Sequence, residues 1–273
     1  MRFTFCVLVF AASLALAQDW QQLVGPEGAP EVIAPIEAPF KMPQLDRPVF
    51  RDAVFPITDF GAKPDGKSKN TQAINAAIDA CAAAGGGTVL CPEGTWLTGA
   101  IHLKSNVNLH LAEGAVLRFS EDPADYLPVV FTRWAGFECY NYSPLIYARD
   151  CENIAVTGPG TLDGNGRPWW HWAERQEETA MQMYRDQILK GIGPEGRVYG
   201  TPEAALRPQF ISPINCSNVL LEGFTIAEPG PFWTIDLVYC DHVIVRKLRV
   251  MTEGGPNTDG MNVDSSRNVL IEH

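Results

Sequence analysis

Short runs in which apolar and polar residues alternate follow one another along much of the chain. Four of them occupy residues 88–91, 100–103, 107–111 and 115–119. A period of two places alternate side chains on opposite faces, which is typical of half-buried β-strands. The runs lie too close together for helical crossovers between them, so the pattern excludes a doubly wound sheet. It predicts an all-β domain.

One amphipathic helix precedes these strands. Ile74, Ala77, Ile78 and Cys81 form an apolar stripe at helical spacing, with Asn70 or Thr71 as the expected N-cap. Three glycines at 85–87 follow the helix and end it. Because they do not open a helix, they are not a phosphate-binding loop. We expect this helix to cap the N-terminal end of the domain.

A small polar turn that ends in Asn or His, followed by an apolar strand, recurs along the chain. The last three turn positions, at 218, 242 and 268, are separated by 24 and 26 residues. Near-constant spacing without intervening helices predicts a right-handed parallel β-helix, in which each coil stacks on the next. Asn at a shared bend tolerates left-handed φ, and equivalent Asn side chains can hydrogen-bond along the stack. The five aligned positions are Asn106, Asn153, Asn218, His242 and Asn268.

The repeat is interrupted between residues 164 and 208, a segment called the excursion below. It contains Trp169, Trp170 and Trp172, then a charged stretch at 174–190 that is typical of a helix or lid. An excursion from a solenoid often builds the binding face. The tryptophans could equally pack the excursion onto the coils, since Trp is usually largely buried.

The N-terminal 50 residues differ in composition from the rest. Residues 1–17 resemble a secretory signal peptide, with Arg2, an apolar run and a small-residue cleavage site before Gln18. Residues 18–50 are rich in Pro, Ala and Glu and are interpreted as a leader or linker. Order is expected to begin near Phe55, within a β-helix domain of residues 51–273. The protein is therefore expected to be secreted.

Charge and cysteine content narrow the possible partners. A formal net charge of −11 argues against binding to nucleic acid or to an anionic membrane surface. No Cys/His spacing fits a zinc site, so we expect no metal. We also expect no cofactor and a monomeric protein. Cys151, Cys216 and Cys240 are predicted to share a stacked inward position, as free thiols rather than a bridge. Cys81 and Cys91 could form a disulfide that joins the helix to the first coil.

The run of residues 255–260, Gly-Pro-Asn-Thr-Asp-Gly, places Asp259 at a turn that enters a strand. Hydrolysis of a glycosidic bond needs two carboxyl groups, roughly 6.5–9.5 Å apart when water attacks directly. Successive coils of a β-helix reach this separation, because neighbouring strands lie about 4.8 Å apart. Each acid is individually also a good turn former. The other acids weighed are Asp163, Asp236, Asp241 and Asp264, of which Asp264 resembles a cap.

From about residue 55 to the last residue, the chain resembles family 28 of the glycoside hydrolases, the polygalacturonases and related enzymes. The Phe-Trp-Thr run at 232–234 together with Asn-Thr-Asp-Gly at 257–260 is the most specific part of the likeness. Weaker matches are the runs 57–62, 99–107 and 158–163, the 70–81 helix, Trp169-Trp170, Arg207-Pro208 and the run 264–271.

The resemblance implies an inverting mechanism with three aspartates, and Asp259 matches the one that positions or deprotonates water. Asn257 would line the same subsite, and Trp169 and Trp170 would bind substrate, a pectic polyuronate. The adjacent Asp-Asp pair, the Gly-His-Gly histidine and the Arg-x-Lys carboxylate clamp have no counterpart among these 273 residues. We therefore expect a pectin-hydrolase parent protein of which this chain is a C-terminally truncated fragment, and no hydrolysis by the 273 residues alone.

Two other functions remain open at the level of sequence. A calcium-dependent pectate lyase would need an oxygen-rich acid cluster and a basic residue that removes a proton. A non-catalytic β-helix adhesin or tailspike-like module would bind polysaccharide without Asp259. Endo and exo cleavage are not distinguished, although the Trp-rich excursion is compatible with a walled, exo-like pocket.

Overall fold

A computed structural model describes residues 32–273, and in it three parallel sheets run along one coiled stack. The first sheet has seven strands, which follow chain order along the stack. They are β1 Val54–Pro56, β3 Gly87–Cys91, β6 Val107–Leu111, β11 Glu152–Thr157, β14 Ser217–Glu222, β17 Asp241–Arg246 and β20 Arg267–Glu272.

The other two sheets form the remaining sides of each coil. The six-stranded sheet contains β2 Asp65–Lys69, β4 Gly94–Thr98, β7 Ala115–Phe119, β12 Thr161–Asp163, β15 Thr225–Glu228 and β18 Arg249–Val250. The five-stranded sheet contains β5 Ile101–His102, β10 Ile146–Arg149, β13 Ile211–Ile214, β16 Ile235–Val238 and β19 Met261–Asp264. Neighbouring strands in all three sheets are parallel, and the chain is a right-handed parallel β-helix, as the repeat predicts.

Register between coils places apolar residues in ladders inside the stack. Each member of one ladder in the seven-stranded sheet is at most 2% exposed. This ladder joins Val89, Leu109, Val156, Leu221 and Val245. Each such side chain contributes about 1.5–3 kcal/mol through burial. Because a coil buries its inward residues only against its neighbours, these ladders hold the stack together.

The predicted Asn bend is present in every aligned coil. Asn106, Asn153, Asn218, His242 and Asn268 all have φ between 54 and 65°. Asn153 Nδ2 donates to Asn106 Oδ1 at 3.2 Å, and Asn218 Nδ2 donates to Asn153 Oδ1 at 2.9 Å. His242 interrupts this chain of amides, and there Asn268 Nδ2 donates to Asp241 Oδ1 instead, at 2.6 Å.

Helix α1 spans Thr71–Ala83 and buries the predicted stripe of Ile74, Ala77, Ile78 and Cys81. Asn70 occupies the N-cap position, but its side chain does not cap the helix. Its Oδ1 instead accepts from the Lys63 N–H at 2.7 Å. The predicted N-cap position is therefore correct, but the amide holds the preceding loop instead of capping the helix.

The segment before the first strand also packs on the coils. Leu45 is 6% exposed and lies on an outward apolar ladder of the seven-stranded sheet, formed by Ala155, Leu220 and Ile244. Arg47 pairs with Glu222 at 2.5 Å. Residues 33–50 are thus packed against the sheet, where the composition predicted a leader and order only from Phe55. The predicted signal peptide, residues 1–17, and the first part of the leader lie outside the described residues.

All six cysteines in the described part of the chain are free thiols. Cys216 and Cys240 are buried and Cys151 is half-buried in successive coils, as predicted. Cys81 and Cys91 are not bonded to each other, so no disulfide links the helix to the first coil. Burial raises the pKa of the Cys91 thiol to about 12.

Two additions stand outside the coils. An antiparallel hairpin, β8 Val130–Trp134 and β9 Phe137–Asn141, was not predicted from the sequence. The excursion carries two helices, α2 Trp172–Arg175 and α3 Ala180–Leu189, which agrees with the predicted charged helix. Within residues 32–273, no helix is both long and apolar enough to cross a membrane.

Candidate active site

The Asn-Thr-Asp-Gly turn leads directly into β19 of the five-stranded sheet. Thr258 is 6% exposed, and its hydroxyl donates to the carbonyls of Thr252 and Gly255 at 2.8 and 3.0 Å. Asp259 follows it, and its backbone carbonyl accepts from the N–H of Thr234 in the previous coil at 3.0 Å. The turn is therefore fixed from inside and along the stack, while the Asp259 side chain is exposed.

The buried guanidinium of Arg207 holds the first half of this turn. Its Nη1 donates to Pro256 O at 2.8 Å, and its Nη2 donates to Asn257 Oδ1 at 2.9 Å. Asn257 has φ of 59°, a left-handed conformation that Asn tolerates. Asn257, predicted to line the subsite, is exposed beside Asp259, but its side-chain oxygen is occupied by Arg207.

The two tryptophans predicted to bind substrate have different surroundings. Trp169 is 2% exposed and packs edge-to-face against Tyr126, Tyr142 and Trp172. Such an indole packs the excursion onto the coils and offers no surface for stacking on a sugar. Trp170 is half-buried and donates its Nε1–H to Gly230 O at 3.2 Å. A Cβ on Gly255 would come within 2.9 Å of its ring, so Trp170 lies beside the turn.

The β8–β9 hairpin covers the outward face of the coils that precede the turn. Tyr147 of β10 donates its hydroxyl to Phe131 O at 2.8 Å. Gln209 Nε2 donates to Arg133 O at 2.9 Å, and Arg133 Nε donates to Asp264 Oδ2 at 2.8 Å. The hairpin therefore lies across β10, β13 and β16 and reaches the end of β19.

Aromatic contacts join the hairpin to the excursion. The ring of Trp134 stacks on Phe232 with centroids 4.5 Å apart, and Phe137 stacks on Tyr184 of α3 with centroids 4.0 Å apart. Phe232 belongs to the Phe-Trp-Thr run that leads into β16. Hairpin, excursion and Phe-Trp-Thr run thus form one wall beside the turn, called the site wall below.

A buried carboxyl group lies beneath the hairpin. Asp236 of β16 is 0% exposed, and Gln209 Nε2 lies 3.3 Å from its Oδ2. Burial, with a smaller contribution from the charge of Asp264, raises the pKa of Asp236 to about 7. A side chain with no exposure cannot contact a polysaccharide, so Asp236 is not a catalytic residue in this structure. Ile235 and Leu237 point into the stack, so alternation places Asp236 on the outward face, and it is the hairpin that buries it there.

The other acids weighed from the sequence have structural partners. Asp264 pairs with Arg133, and Asp241 accepts from Arg267 at 2.9 Å. Asp163 accepts from the Asn165 N–H at 3.0 Å. Asp259, by contrast, has no side-chain hydrogen bond or ion pair with residues 32–273. Its carboxylate is therefore available to a water molecule or a ligand, which is what a general base requires.

Arg207 and the hairpin are the parts of the site that sequence reasoning missed. From the sequence, Arg207-Pro208 was noted only as part of the resemblance to the family, and no role was predicted for Arg207.

No group of three or more His, Cys, Asp and Glu side chains in the described ranges is arranged to hold a metal ion.

Comparison with known proteins places these features in a family. Residues 132–273 match the family described as "Glycosyl hydrolases family 28". Residues 54–111 match a family described as "Rhamnogalacturonase A/epimerase, pectate lyase-like".

Individual relatives agree with the family matches. A probable polygalacturonase of Vitis vinifera is 27% identical over 226 residues, which is 79% of this chain and 40% of the relative. An exo-poly-alpha-D-galacturonosidase of Dickeya chrysanthemi is 29% identical over 242 residues, 80% of this chain and 39% of the relative. The chain thus spans about two fifths of the length of these curated relatives.

Among solved structures, a hyperthermoactive exopolygalacturonase from Thermotoga maritima superposes with a TM-score of 0.78 at 39% identity. The match covers 83% of this chain and 53% of that one. The family match includes most of the hairpin, the whole excursion and the Asn-Thr-Asp-Gly turn, and it extends over more than half of the chain. This chain belongs to family 28 of the glycosyl hydrolases.

Proposed function

We propose that the whole protein hydrolyses α-linked galacturonan, a pectic polyuronate, and that Asp259 activates the attacking water. The proposal is supported by membership of family 28 and by the relatives titled polygalacturonase and exo-poly-alpha-D-galacturonosidase. The carboxylate of Asp259 is exposed, has no side-chain partner within residues 32–273 and stands on a turn fixed by Thr258 and Thr234, which supports the same assignment.

In the proposed reaction, Asp259 accepts a proton from water as the water oxygen attacks the anomeric carbon. The bond from that carbon to the leaving oxygen breaks, and a second carboxyl group protonates this oxygen. The second group belongs to the Asp-Asp pair of the family, which the 273 residues do not contain. We therefore propose that residues 1–273 alone do not hydrolyse polygalacturonate.

We further propose exo cleavage, and the site wall is the observation that carries it. An endo-acting enzyme needs an open groove along the coils on both sides of the catalytic turn. Here the outward faces of β10, β13 and β16 lie beneath the hairpin, with Asp236 at 0% exposure. The hairpin therefore closes the groove on the side of the preceding coils, and a groove that is blocked on one side favours cleavage at a chain end.

The test is product analysis with the full-length protein on de-esterified homogalacturonan. We expect mono- or digalacturonate from the first time points, with little early loss of viscosity. Asp259→Asn is expected to lower kcat by at least about 1,000-fold, since the general base is lost. Asp163→Asn, at an acid whose carboxylate accepts from the Asn165 N–H and lies 3.5 Å from Arg118, serves as the matched control and is expected to retain activity. Mixed long oligomers at early times would contradict exo cleavage, and an active Asp259→Asn variant would contradict the assigned base.

The same experiment separates the two other functions. A calcium-dependent lyase would lose activity with a chelator and release products with an ultraviolet-absorbing double bond. A binding module would retain polysaccharide affinity in both variants and release no reducing ends.

We also propose that the protein is secreted as a monomer after removal of residues 1–17. The basic and apolar start of the chain supports export. Amino-terminal sequencing of the exported protein is expected to begin at Gln18, and light scattering is expected to give the mass of one chain.

A further inference from the structure

Arg207 is a fully buried cation without a carboxylate partner among the described residues. It is 0% exposed, and its guanidinium is surrounded by neutral acceptors and by the ring of Phe232, with 5.1 Å from Cζ to the ring centroid. Burial lowers the pKa of Arg207 to about 10, so the group remains charged at neutral pH. Burying a charge is costly unless its hydrogen bonds are satisfied, and the acceptors around Arg207 meet this requirement.

The four acceptors come from three separate parts of the chain. Nε donates to Gln176 Oε1 in the excursion at 3.1 Å, and Nη1 donates to Pro231 O before β16 at 3.0 Å. The remaining two are Pro256 O and Asn257 Oδ1 of the catalytic turn. One planar group therefore joins the excursion, the preceding coil and the turn. The Arg207 carbonyl in addition accepts from Trp134 Nε1 of the hairpin at 2.9 Å.

These contacts restrain the turn immediately before Asp259. Pro256 and Asn257 stand three and two residues before it, and the Asp259 carbonyl is fixed by Thr234 from the other side. The fork of the guanidinium binds two acceptors of the turn in one plane. Lysine cannot reproduce this, because its ammonium is a single point of charge on a flexible stem.

We infer that Arg207 is a positioning residue, which holds the Asp259 turn at a fixed distance from the site wall. The inference rests on the proposed function for its kinetic consequence, since Asp259 must meet a water at the anomeric carbon. A displacement of about 1 Å in a catalytic group can cost about 100-fold in rate.

Arg207→Lys is the test, and Arg246→Lys is its matched control. Arg246 is also a fully buried arginine, but it pairs with Glu272 at 3.0 Å in the seven-stranded sheet, away from the turn. Hydrogen exchange in the chain is the first measurement. We expect Arg207→Lys to speed exchange across residues 252–260 and at the Thr234 amide, and Arg246→Lys to leave both unchanged.

The second measurement is kinetic, in the full-length protein. We expect Arg207→Lys to lower kcat by roughly 10- to 100-fold with KM nearly unchanged, and Arg246→Lys to lower only thermal stability. Gln176→Leu, which removes one acceptor outside the turn, is expected to give a smaller loss of kcat and provides a second variant if Arg207→Lys does not fold.

Unchanged exchange in the turn of Arg207→Lys, or an equal increase in Arg246→Lys, would overturn the inference. If the unmodified protein hydrolyses no pectic substrate, the proposed function fails, while the exchange measurement still decides the role of Arg207.

Discussion

Arg133 Nε donates a 2.8 Å hydrogen bond to Oδ2 of Asp264, and this ion pair joins the hairpin to the strand that follows the Asn-Thr-Asp-Gly turn. The Arg133 guanidinium also donates to the Tyr239 hydroxyl, which donates to Glu138 Oε1 at 3.0 Å. The two side chains of the pair are 22% and 20% exposed, so solvent screens the interaction only in part.

We predict a measurable coupling between these two residues. A double-mutant cycle of Arg133→Gln and Asp264→Asn, read by urea unfolding, is expected to give a coupling free energy of about 1 kcal/mol. The exposed pair of Lys104 and Asp79, with side chains 51% and 60% exposed, is the control and should give less than about 0.5 kcal/mol. Equal coupling in both pairs would show that the hairpin is not held by Arg133.

The buried carboxyl of Asp236 predicts a dependence of stability on pH. Its folded pKa is about 7 against an ordinary value of 3.8, because burial and the nearby Asp264 disfavour the charged form, while Gln209 and Arg133 partly oppose this. The folded state therefore binds the proton more tightly, so stability is lost as pH rises from about 4 to about 7.

We expect Asp236→Asn to remove this loss. Between pH 4 and 7, the wild-type free energy of unfolding should fall relative to that of the variant by an amount on the order of a few kcal/mol. Unfolding curves measured across that range test the prediction, with Asp163→Asn as the control. Parallel profiles for wild type and Asp236→Asn would contradict the buried, proton-binding state.

Asn218 has a left-handed φ of 56°. We therefore predict that its glycine variant is more stable than its alanine variant. We expect Asn218→Ala to destabilise the protein by roughly 1–2 kcal/mol, because a Cβ disfavours this conformation. Asn218→Gly should cost less, since glycine adopts positive φ freely and loses only the 2.9 Å bond to Asn153. Thermal unfolding of the two variants measures the order, and a more stable Ala variant would contradict the assigned bend.

The segment of residues 33–50 is expected to contribute to stability. Leu45→Ala should cost about 2 kcal/mol, since the side chain is 6% exposed against Ala155, Leu220 and Ile244. Val49→Ala, at a position 84% exposed, should change the free energy of unfolding by less than about 0.5 kcal/mol. Equal effects would mean that the segment does not hold to the sheet in solution.

The coils could be predicted from the sequence because their signal is local and repeated. The bends at Asn153, Asn218 and Asn268 recur with one strand after each, and the structure places all three at positive φ. The same reasoning placed Asp259 on a turn at the start of a strand. In both cases a single short motif is enough to predict a turn, although distant residues then hold the Asp259 turn in place.

The hairpin, the packing of residues 33–50 and the role of Arg207 could not be predicted in this way. Leu45 contacts residues more than one hundred positions away, within a proline-rich stretch that shows no periodicity. The four acceptors of Arg207 lie 24 to 50 positions from it, and two of them are backbone carbonyls, which leave no mark on the sequence. Trp169 and Trp170 are adjacent and identical, and only the fold distinguishes the buried ring from the one beside the turn.

The hairpin comprises two short strands attached to the outside of the stack, and no coil depends on it for its inward ladder. Under the proposed function, chemistry and product length depend on different parts of the chain. If the proposed exo cleavage holds, shortening residues 130–141 is expected to open the groove and give internal cleavage, while the Asn-Thr-Asp-Gly turn keeps its support from the coils. Engineering of cleavage pattern in this protein would accordingly begin at the hairpin and leave the solenoid unchanged.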